Sequence, residues 1–324
     1  MPEGIKNYFL LAKPWIVLCN LIPAAAGLFL GFRGRIDIAF LLFTLTGISL
    51  VIASACVFNN WIDRDMDRRM ARTRNRVLAR GLISPKGAVS YGAFLGVAGT
   101  ALLWAATNPL AVAIVLTGFT IYVGLYSLYL KRHSVYATLI GSLAGASPPL
   151  AAYCAASHCF DMGAVVLLLI FGLWQMPHSY AIAIFRYEDY AAAAIPVLPV
   201  KRGIRATKKH VVGYMLAFVT ATLLPTIGGY TGYTYLGVAV TAGLSWLYVA
   251  WSGYASLNER VWAKKVFASS IATANVLAAM MTIDFTVSTS DMLLASAPPP
   301  KAVHRTVLGS PVPTRSLMLR IGEP

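Results

Sequence analysis

The sequence predicts an all-α integral membrane protein with about nine transmembrane helices. Hydrophobic residues make up 58% of its 324 residues, charged residues make up only 12%, and its mean hydropathy is +0.67. These values lie outside the range of soluble globular domains, so lipid is expected to surround most of the chain. The apolar runs are continuous and lack the alternation of an outer-membrane barrel, which indicates helices rather than strands.

A transmembrane helix needs about 20 predominantly apolar residues, and nine segments of the chain meet this requirement. They are residues 14–32, 37–58, 88–107, 110–130, 138–157, 162–184, 211–229, 233–252 and 267–287. On this interpretation residues 1–13 are a cytoplasmic N-terminus, residues 14–287 form one transmembrane domain, and residues 288–324 form a disordered tail rich in Pro and Ser. The N-terminus has no short apolar core followed by a cleavage site, so we expect no removable signal peptide.

The basic residues predict the orientation of the helices. The net charge is +15, but Lys and Arg occur in short runs between apolar segments, which is a topological pattern and not that of a nucleic-acid-binding protein. With the N-terminus inside, 21 of the 27 basic residues lie on the cytoplasmic side, two (Arg33 and Arg35) lie opposite, and four lie in the tail. We therefore expect a bacterial inner-membrane protein with a cytoplasmic N-terminus and a periplasmic C-terminus.

An acidic stripe follows the second apolar segment. Residues four apart lie on one helical face, so Asn59, Asp63 and Asp67 share a face that spans about two turns. Like charges at this spacing repel each other, and a cation is therefore expected beside them. Carboxylate and amide oxygens are hard ligands that suit Mg²⁺, which binds through one or two carboxylates together with substrate phosphates.

Asp65 points away from this face and is predicted to pair with Arg68 or Arg69. A simpler alternative holds for the whole segment, in which all of its acids form surface ion pairs with Arg64, Arg68 and Arg69.

Three arginines alternate with polar residues in the stretch that follows. An extended backbone would place Arg72, Arg74 and Arg76 on one side, where their guanidinium groups could bind diphosphate oxygens. The alternative is that these charges serve only the positive-inside pattern. Together, the acidic stripe and the arginines predict a Mg²⁺-diphosphate site at a membrane face.

The spacing Asn59-x3-Asp63-x3-Asp67 resembles the first aspartate motif of the UbiA-type intramembrane prenyltransferase superfamily. The segment NNWIDRDMDRRMARTRNRVL, together with residues 126–153 and 173–200, is similar to its protohaem farnesyltransferase branch. The resemblance implies a UbiA-type prenyltransferase fold, with the helices around a central cavity. It also implies that Mg²⁺ is the cofactor, farnesyl diphosphate the donor and haem B the acceptor, with haem O as the product for haem-copper terminal oxidases.

The resemblance also assigns roles to residues. Asn59, Asp63 and Asp67 would hold the metal-diphosphate, and Lys131 with Arg132 would add positive charge beside it. Many members have a second DxxxD motif after the sixth span, whereas this chain reads Phe-Arg-Tyr-Glu-Asp over residues 185–189. Only Asp189 stands in the place of that motif, and the haem branch shares this form, which favours haem over a small phenolic acceptor. Arg186 and Asp189 are the substrate-binding candidates in this segment.

Aromatic residues near the implied cavity are candidates to face the farnesyl cation. Tyr126, Tyr129, Trp174 and Tyr180 could supply aromatic faces for it. The alternative for each of them is ordinary helix packing or anchoring at the membrane interface.

His178 follows Pro177 inside the sixth span, and an ionisable residue within a span is a functional candidate. It could ligate haem iron, bind a propionate or bond a neighbouring helix. His133, in a basic loop, could meet a propionate or only solvent.

Two rival functions remain open at this point. One is prenylation of a small aromatic acid or quinone precursor, and the other is non-catalytic haem transport. A carrier has no use for the acidic stripe, which favours an enzyme. The expected partners are membrane lipid and either haem A synthase or a terminal oxidase. We expect no nucleic acid to bind.

Overall fold

The computed structural model describes residues 2–32 and 37–285. This part of the chain contains nine helices that are long and apolar enough to cross a membrane, which confirms the predicted class. The helices are α1 (Glu3–Leu11), α2 (Pro14–Gly31), α3 (Ile38–Asp67), α4 (Pro85–Ala106), α5 (Pro109–Thr120), a π-helix (Ile121–Leu130), α6 (Lys131–His133), α7 (Ala137–Ser157), α8 (Met162–Phe185), α9 (Tyr187–Ala192), α10 (Leu198–Ala221), α11 (Leu224–Ile227), α12 (Tyr233–Ser252) and α13 (Glu259–Ile283). The predicted disordered tail, residues 288–324, lies outside the described residues.

Three spans extend beyond their predicted limits. The second was expected to end at residue 58, but α3 continues to Asp67. The seventh and ninth begin earlier than expected, at Leu198 and Glu259. Hydropathy identifies only the apolar part of a helix, and α3 and α13 continue through polar residues. In α10 the added residues include a kink at Gly203 (φ 80°), so its first residues form a short helical segment before the main helix. The N-terminal segment also forms a helix, α1, which was not predicted.

The helices enclose a central space. α2 packs along α7 and also meets α13, α3 packs along α4, and α8 lies against α7, α10 and α13. Small residues allow the closest of these approaches, as is usual between membrane helices. A Cβ atom added to Gly27 of α2 would lie 2.1 Å from the carbonyl oxygen of Pro149 in α7, so this crossing requires glycine.

The largest packed core lies among α7, α8, α10, α12 and α13. Phe218 and Trp246 meet edge to face in it, with ring centroids 5.4 Å apart. Smaller cores lie beneath α2, α3 and α4. The outer surface carries large apolar side chains such as Trp15 and Trp104, which are 77% and 66% exposed. Such side chains are expected where a protein faces lipid.

Candidate active site

A cavity of about 610 Å³ lies at the centre of the helices. Residues of α2, α3, α5, the π-helix, α7, α8 and α13 line it, together with some of residues 70–76 and 190–197. Charged groups cluster where α3 ends, and mostly aliphatic and aromatic side chains line the rest, with a few polar ones such as Asn20 and Gln175. This volume is typical of ligand pockets, in which a few polar groups orient a mostly apolar ligand.

The three residues of the acidic stripe lie side by side and are almost fully buried. Asn59, Asp63 and Asp67 are 4%, 0% and 1% exposed. Asn59 and Asp67 line the cavity, whereas Asp63 does not. A buried carboxylate is costly unless it is paired with a cation or hydrogen-bonded, so the groups around Asp63 and Asp67 show how their charge is balanced.

Asp63 accepts from two side chains through one oxygen. Its Oδ2 contacts the Nζ of Lys131, which follows the π-helix, and accepts a hydrogen bond of 2.8 Å from Asn59 Nδ2. Its Oδ1 is buried and has no hydrogen-bond partner among the described residues.

Asp67 is paired with Arg76. The guanidinium NH1 donates to both carboxylate oxygens, at 3.0 and 2.9 Å, and Thr73 Oγ1 donates to the Asp67 carbonyl at 3.0 Å. The cations expected beside the stripe are therefore Lys131 and Arg76, which come from other segments of the chain.

The surface-pair alternative holds only for Asp65. It lies 3.5 Å from Arg68 and 3.8 Å from Arg64, with 61% of its side chain exposed. The predicted pairing with Arg68 is thus found, whereas the structure gives Asp65 no ion pair with Arg69.

Sequence reasoning missed Lys13, which lines the same end of the cavity. Its Nζ donates to Asn59 Oδ1 at 2.7 Å, while Asn59 Nδ2 also donates to Ser127 Oγ at 3.1 Å. The pKa of Lys13 is lowered to about 8, mainly by burial. The charges of Arg76 and Lys131 also lower it, and Cys56 and Asp63 act in the opposite direction. A lysine just before an apolar segment was interpreted as a topological charge. A left-handed backbone at Lys13 (φ 52°), between α1 and α2, accompanies its inward position.

The expected extended backbone around the arginines is wrong. Successive turns form this segment, with hydrogen bonds from Thr73 N and Arg74 N to Met70 O at 3.1 and 3.0 Å. Turns of three to four residues place Arg72 and Arg76 on the cavity, and they leave Arg74 exposed and away from it. Two of the three predicted guanidinium groups therefore reach the site.

The second loop lies at the rim of the site. The backbone N–H of Arg72 donates to Asp189 Oδ1 at 3.4 Å, and neither Asp189 nor Arg186 lines the cavity. The Arg186 guanidinium lies over the Phe185 ring, 5.2 Å from its centroid. Burial lowers the pKa of Arg72, and the charge of nearby Arg186 acts in the same direction.

Four other candidates point elsewhere. Arg132 donates to the Ile62 carbonyl at 2.7 Å, and Tyr129, which is 60% exposed, stacks on His133 with centroids 4.8 Å apart. Tyr180 packs against α10. These side chains do not line the cavity, because helical geometry turns each to another side.

An aromatic wall continues from the charged end. Tyr126 stacks on Tyr122, which the sequence analysis did not single out, with centroids 5.6 Å apart and planes 16° from parallel. Both line the cavity and lie on the π-helix. π-helical segments often occur at functional sites. The π-helix could not be predicted, because its sequence is part of a continuous apolar run.

His178 lines the cavity between two rings. Trp174 and Phe267 flank it, with centroids 4.7 and 4.8 Å from its own. Its Nδ1 lies 2.7 Å from Ser270 Oγ on α13. The bond to a neighbouring helix, one of the three alternatives, is thus present, and the ring also borders the cavity.

These features define a class of protein. The model of the UbiA prenyltransferase family matches residues 20–271, and the chain belongs to that family. It is a multi-pass integral membrane prenyltransferase.

The resemblance to the protohaem farnesyltransferase branch is confirmed by curated relatives. Protoheme IX farnesyltransferase of Chromohalobacter salexigens is 57% identical over 292 residues, which cover 90% of this chain and 99% of that protein. The protein of the same name from Sodalis glossinidius is 57% identical over 291 residues, covering 90% and 98%.

Solved structures share the fold at low identity. Digeranylgeranylglyceryl phosphate synthase superposes with a TM-score of 0.73 at 21% identity, covering 87% of this chain and 98% of that one. A UbiA homologue from Archaeoglobus fulgidus bound to GPP and Mg²⁺ gives a TM-score of 0.65 at 18% identity, covering 84% and 99%. This likeness confirms the predicted UbiA-type fold.

Proposed function

We propose that the chain transfers the farnesyl group of farnesyl diphosphate to a vinyl group of haem B. Water adds in the same reaction, and the products are haem O and diphosphate. The observation that carries this proposal is the cavity itself, which joins a cluster of acids and cations to a mostly apolar and aromatic remainder. The names of relatives that are 57% identical over 90% of the chain support haem as the acceptor.

The charged end of the cavity suits a diphosphate. Arg72, Arg76, Lys131 and Lys13 bring four cationic side chains to it. Charge-assisted hydrogen bonds from such groups stabilise the negative charge that develops on a departing diphosphate. Arg76 and Lys131 are already held against Asp67 and Asp63, so little ordering remains to be done when the substrate binds.

The donor set beside these cations suits Mg²⁺. Oxygen atoms of Asn59, Asp63 and Asp67 would hold the ion, and the unpaired, buried Oδ1 of Asp63 is an acceptor in need of a cation. No group of three or more His, Cys, Asp or Glu in the described ranges has the arrangement of a metal site. A site that completes its coordination with substrate phosphates needs no such group. When bound, Mg²⁺ would help to neutralise the diphosphate.

The remainder of the cavity suits the two hydrophobic partners. Breaking the allylic C–O bond leaves the electron pair on diphosphate and a resonance-stabilised farnesyl cation, which the faces of Tyr122, Tyr126 and Trp174 would stabilise. The π electrons of a haem vinyl group form the new C–C bond. Water then adds to the porphyrin-stabilised cation and loses a proton. No protein nucleophile is required.

We further propose that the charged end faces the cytoplasm of a bacterial cell, with the protein in the inner membrane. The positive-inside pattern supports this orientation. Haem A synthase or a terminal oxidase would then receive the product.

One experiment distinguishes haem farnesylation from prenylation of a phenolic acid and from haem transport. Membranes containing the chain are incubated with labelled farnesyl diphosphate, Mg²⁺ and either haem B or 4-hydroxybenzoate. Label in a haem product supports the proposal. Label in the phenolic acid would show a different acceptor, and haem binding without transfer of label would show a carrier.

A further inference from the structure

The ring of His178 is fixed in orientation. Trp174 stacks on it with planes 28° from parallel, and Phe267 packs against it with planes tilted by 39°. Trp174 Nε1 also donates to the Ser270 carbonyl at 2.9 Å, which ties these rings to α13. The ring nitrogens lie on the ring edge, and one of them, Nδ1, lies 2.7 Å from Ser270 Oγ.

The hydroxyl of Ser270 determines the tautomer of this histidine. Ser270 is fully buried, and its Oγ donates to the Phe267 carbonyl at 2.6 Å. A hydroxyl has one hydrogen. If that hydrogen pointed to His178 instead, the lone pairs of Ser270 Oγ and of the Phe267 carbonyl oxygen would face each other at 2.6 Å. The hydrogen between His178 and Ser270 must therefore belong to Nδ1, since hydrogen positions follow from the network.

A neutral imidazole that carries its hydrogen on Nδ1 has a bare lone pair on Nε2. Nε2 makes no hydrogen bond among the described residues, and it is not one of their buried unpaired atoms, so it is accessible. His178 lines the cavity and Ser270 does not. The accessible lone pair therefore belongs to the cavity.

We propose that His178 Nε2 binds the iron of the acceptor haem, and that Ser270 is a positioning residue that fixes the required tautomer. This inference rests on the proposed function, because it takes haem as the acceptor. The Nε2 lone pair forms the bond to iron, and no proton is released. A neutral ring of this tautomer cannot donate from Nε2 to a propionate, which excludes that alternative. Hydrogen bonding of the second ring nitrogen is the usual means of orienting a metal-binding histidine.

The test is a titration of purified, detergent-solubilised full-length protein with ferric haem B, followed by absorption and electron paramagnetic resonance spectra. Wild type should give the spectrum of a histidine-ligated haem. His178→Ala should lose that spectrum and regain it with added imidazole, and its haem affinity should fall by on the order of 10–100-fold. The matched control is His210→Ala, because His210 is an exposed histidine of α10 that does not line the cavity.

Two further comparisons separate ligation from packing. Ser270→Ala should weaken haem binding and alter the spectrum, whereas Ser270→Thr, which keeps the hydroxyl, should restore both. Iron-free protoporphyrin IX should bind wild type and His178→Ala equally. The inference is overturned if His178→Ala keeps the wild-type spectrum, or if it loses iron-free porphyrin as severely as haem.

The same preparations, assayed for farnesylation, separate this inference from the proposed function. Product from wild type, with an unchanged haem spectrum in His178→Ala, overturns the iron ligand alone. A histidine-ligated spectrum in wild type without any product supports the ligand and overturns the proposed reaction.

Discussion

Removing the Asp63 carboxylate tests whether the buried charge cluster is both structural and catalytic. Asp63 is fully buried, and its partner Lys131 has only 15% of its side chain exposed. Asp63→Ala would leave a buried ammonium group uncompensated, which costs about 3–5 kcal/mol. At roughly 2–4 °C per kcal/mol, the melting temperature should fall by roughly 6–20 °C. Because this chain is longer than the proteins behind that relation, we expect a fall near the lower end.

A second substitution separates stability from chemistry. Asp63→Ala combined with Lys131→Met removes both charges, and apolar replacement of a buried pair is often neutral or stabilising. Thermal unfolding of the purified protein should show most of the lost stability restored, while turnover stays absent in both variants. Asp65→Asn is the matched control. Its exposed acid should change stability by no more than about 0.5 kcal/mol and leave activity near normal.

Two results would refute this reasoning. A single Asp63→Ala variant as stable as wild type would show that Lys131 is not held by a buried pair. Near-normal turnover in the restored double variant would remove Asp63 from the diphosphate site.

Three further predictions concern the arginines, the topology and the tail. Arg76→Ala should lower kcat/KM for farnesyl diphosphate at least 100-fold, or about 3 kcal/mol, because Arg76 lines the cavity. Arg74 is exposed and does not line the cavity, so Arg74→Ala should stay within a few-fold of wild type in the same kinetic assay. Reporter fusions after residue 134 should report cytoplasm and those after residue 160 the opposite side, so equal signals from both would contradict the orientation. Truncation at about residue 290 should leave turnover in membranes largely intact, and its loss would show that the tail acts in catalysis.

The sequence alone predicted the spans and the acidic stripe, because both depend on local periodicity. Apolar runs of helix length identify spans, and a spacing of four places Asn59, Asp63 and Asp67 on one face whatever else surrounds them. The partners of that face could not be predicted in the same way. Lys131 reaches Asp63 from 68 residues away, and Lys13 reaches Asn59 from 46 residues away. Such contacts depend on how distant helices pack.

The errors have local causes as well. Alternating arginines suggested an extended strand, but a loop held by hydrogen bonds to Met70 and Thr73 turns every three to four residues and points Arg74 outwards. His178 was recognised as a functional candidate because an ionisable group inside a span is rare. Its hydrogen-bond partner Ser270 lies 92 residues further on, and nothing in the sequence connects the two.

The most direct test of the central claim is mass spectrometry of the haem product formed by the purified chain in water enriched in ¹⁸O. The reaction contains haem B, farnesyl diphosphate and Mg²⁺, with Asp67→Asn as the inactive comparison. The proposed reaction predicts a product heavier than haem B by one farnesyl group and one hydroxyl group. The hydroxyl oxygen should carry the ¹⁸O label, and Asp67→Asn should give no product. Unmodified haem B after complete incubation with active donor, or equal product from Asp67→Asn, would contradict it.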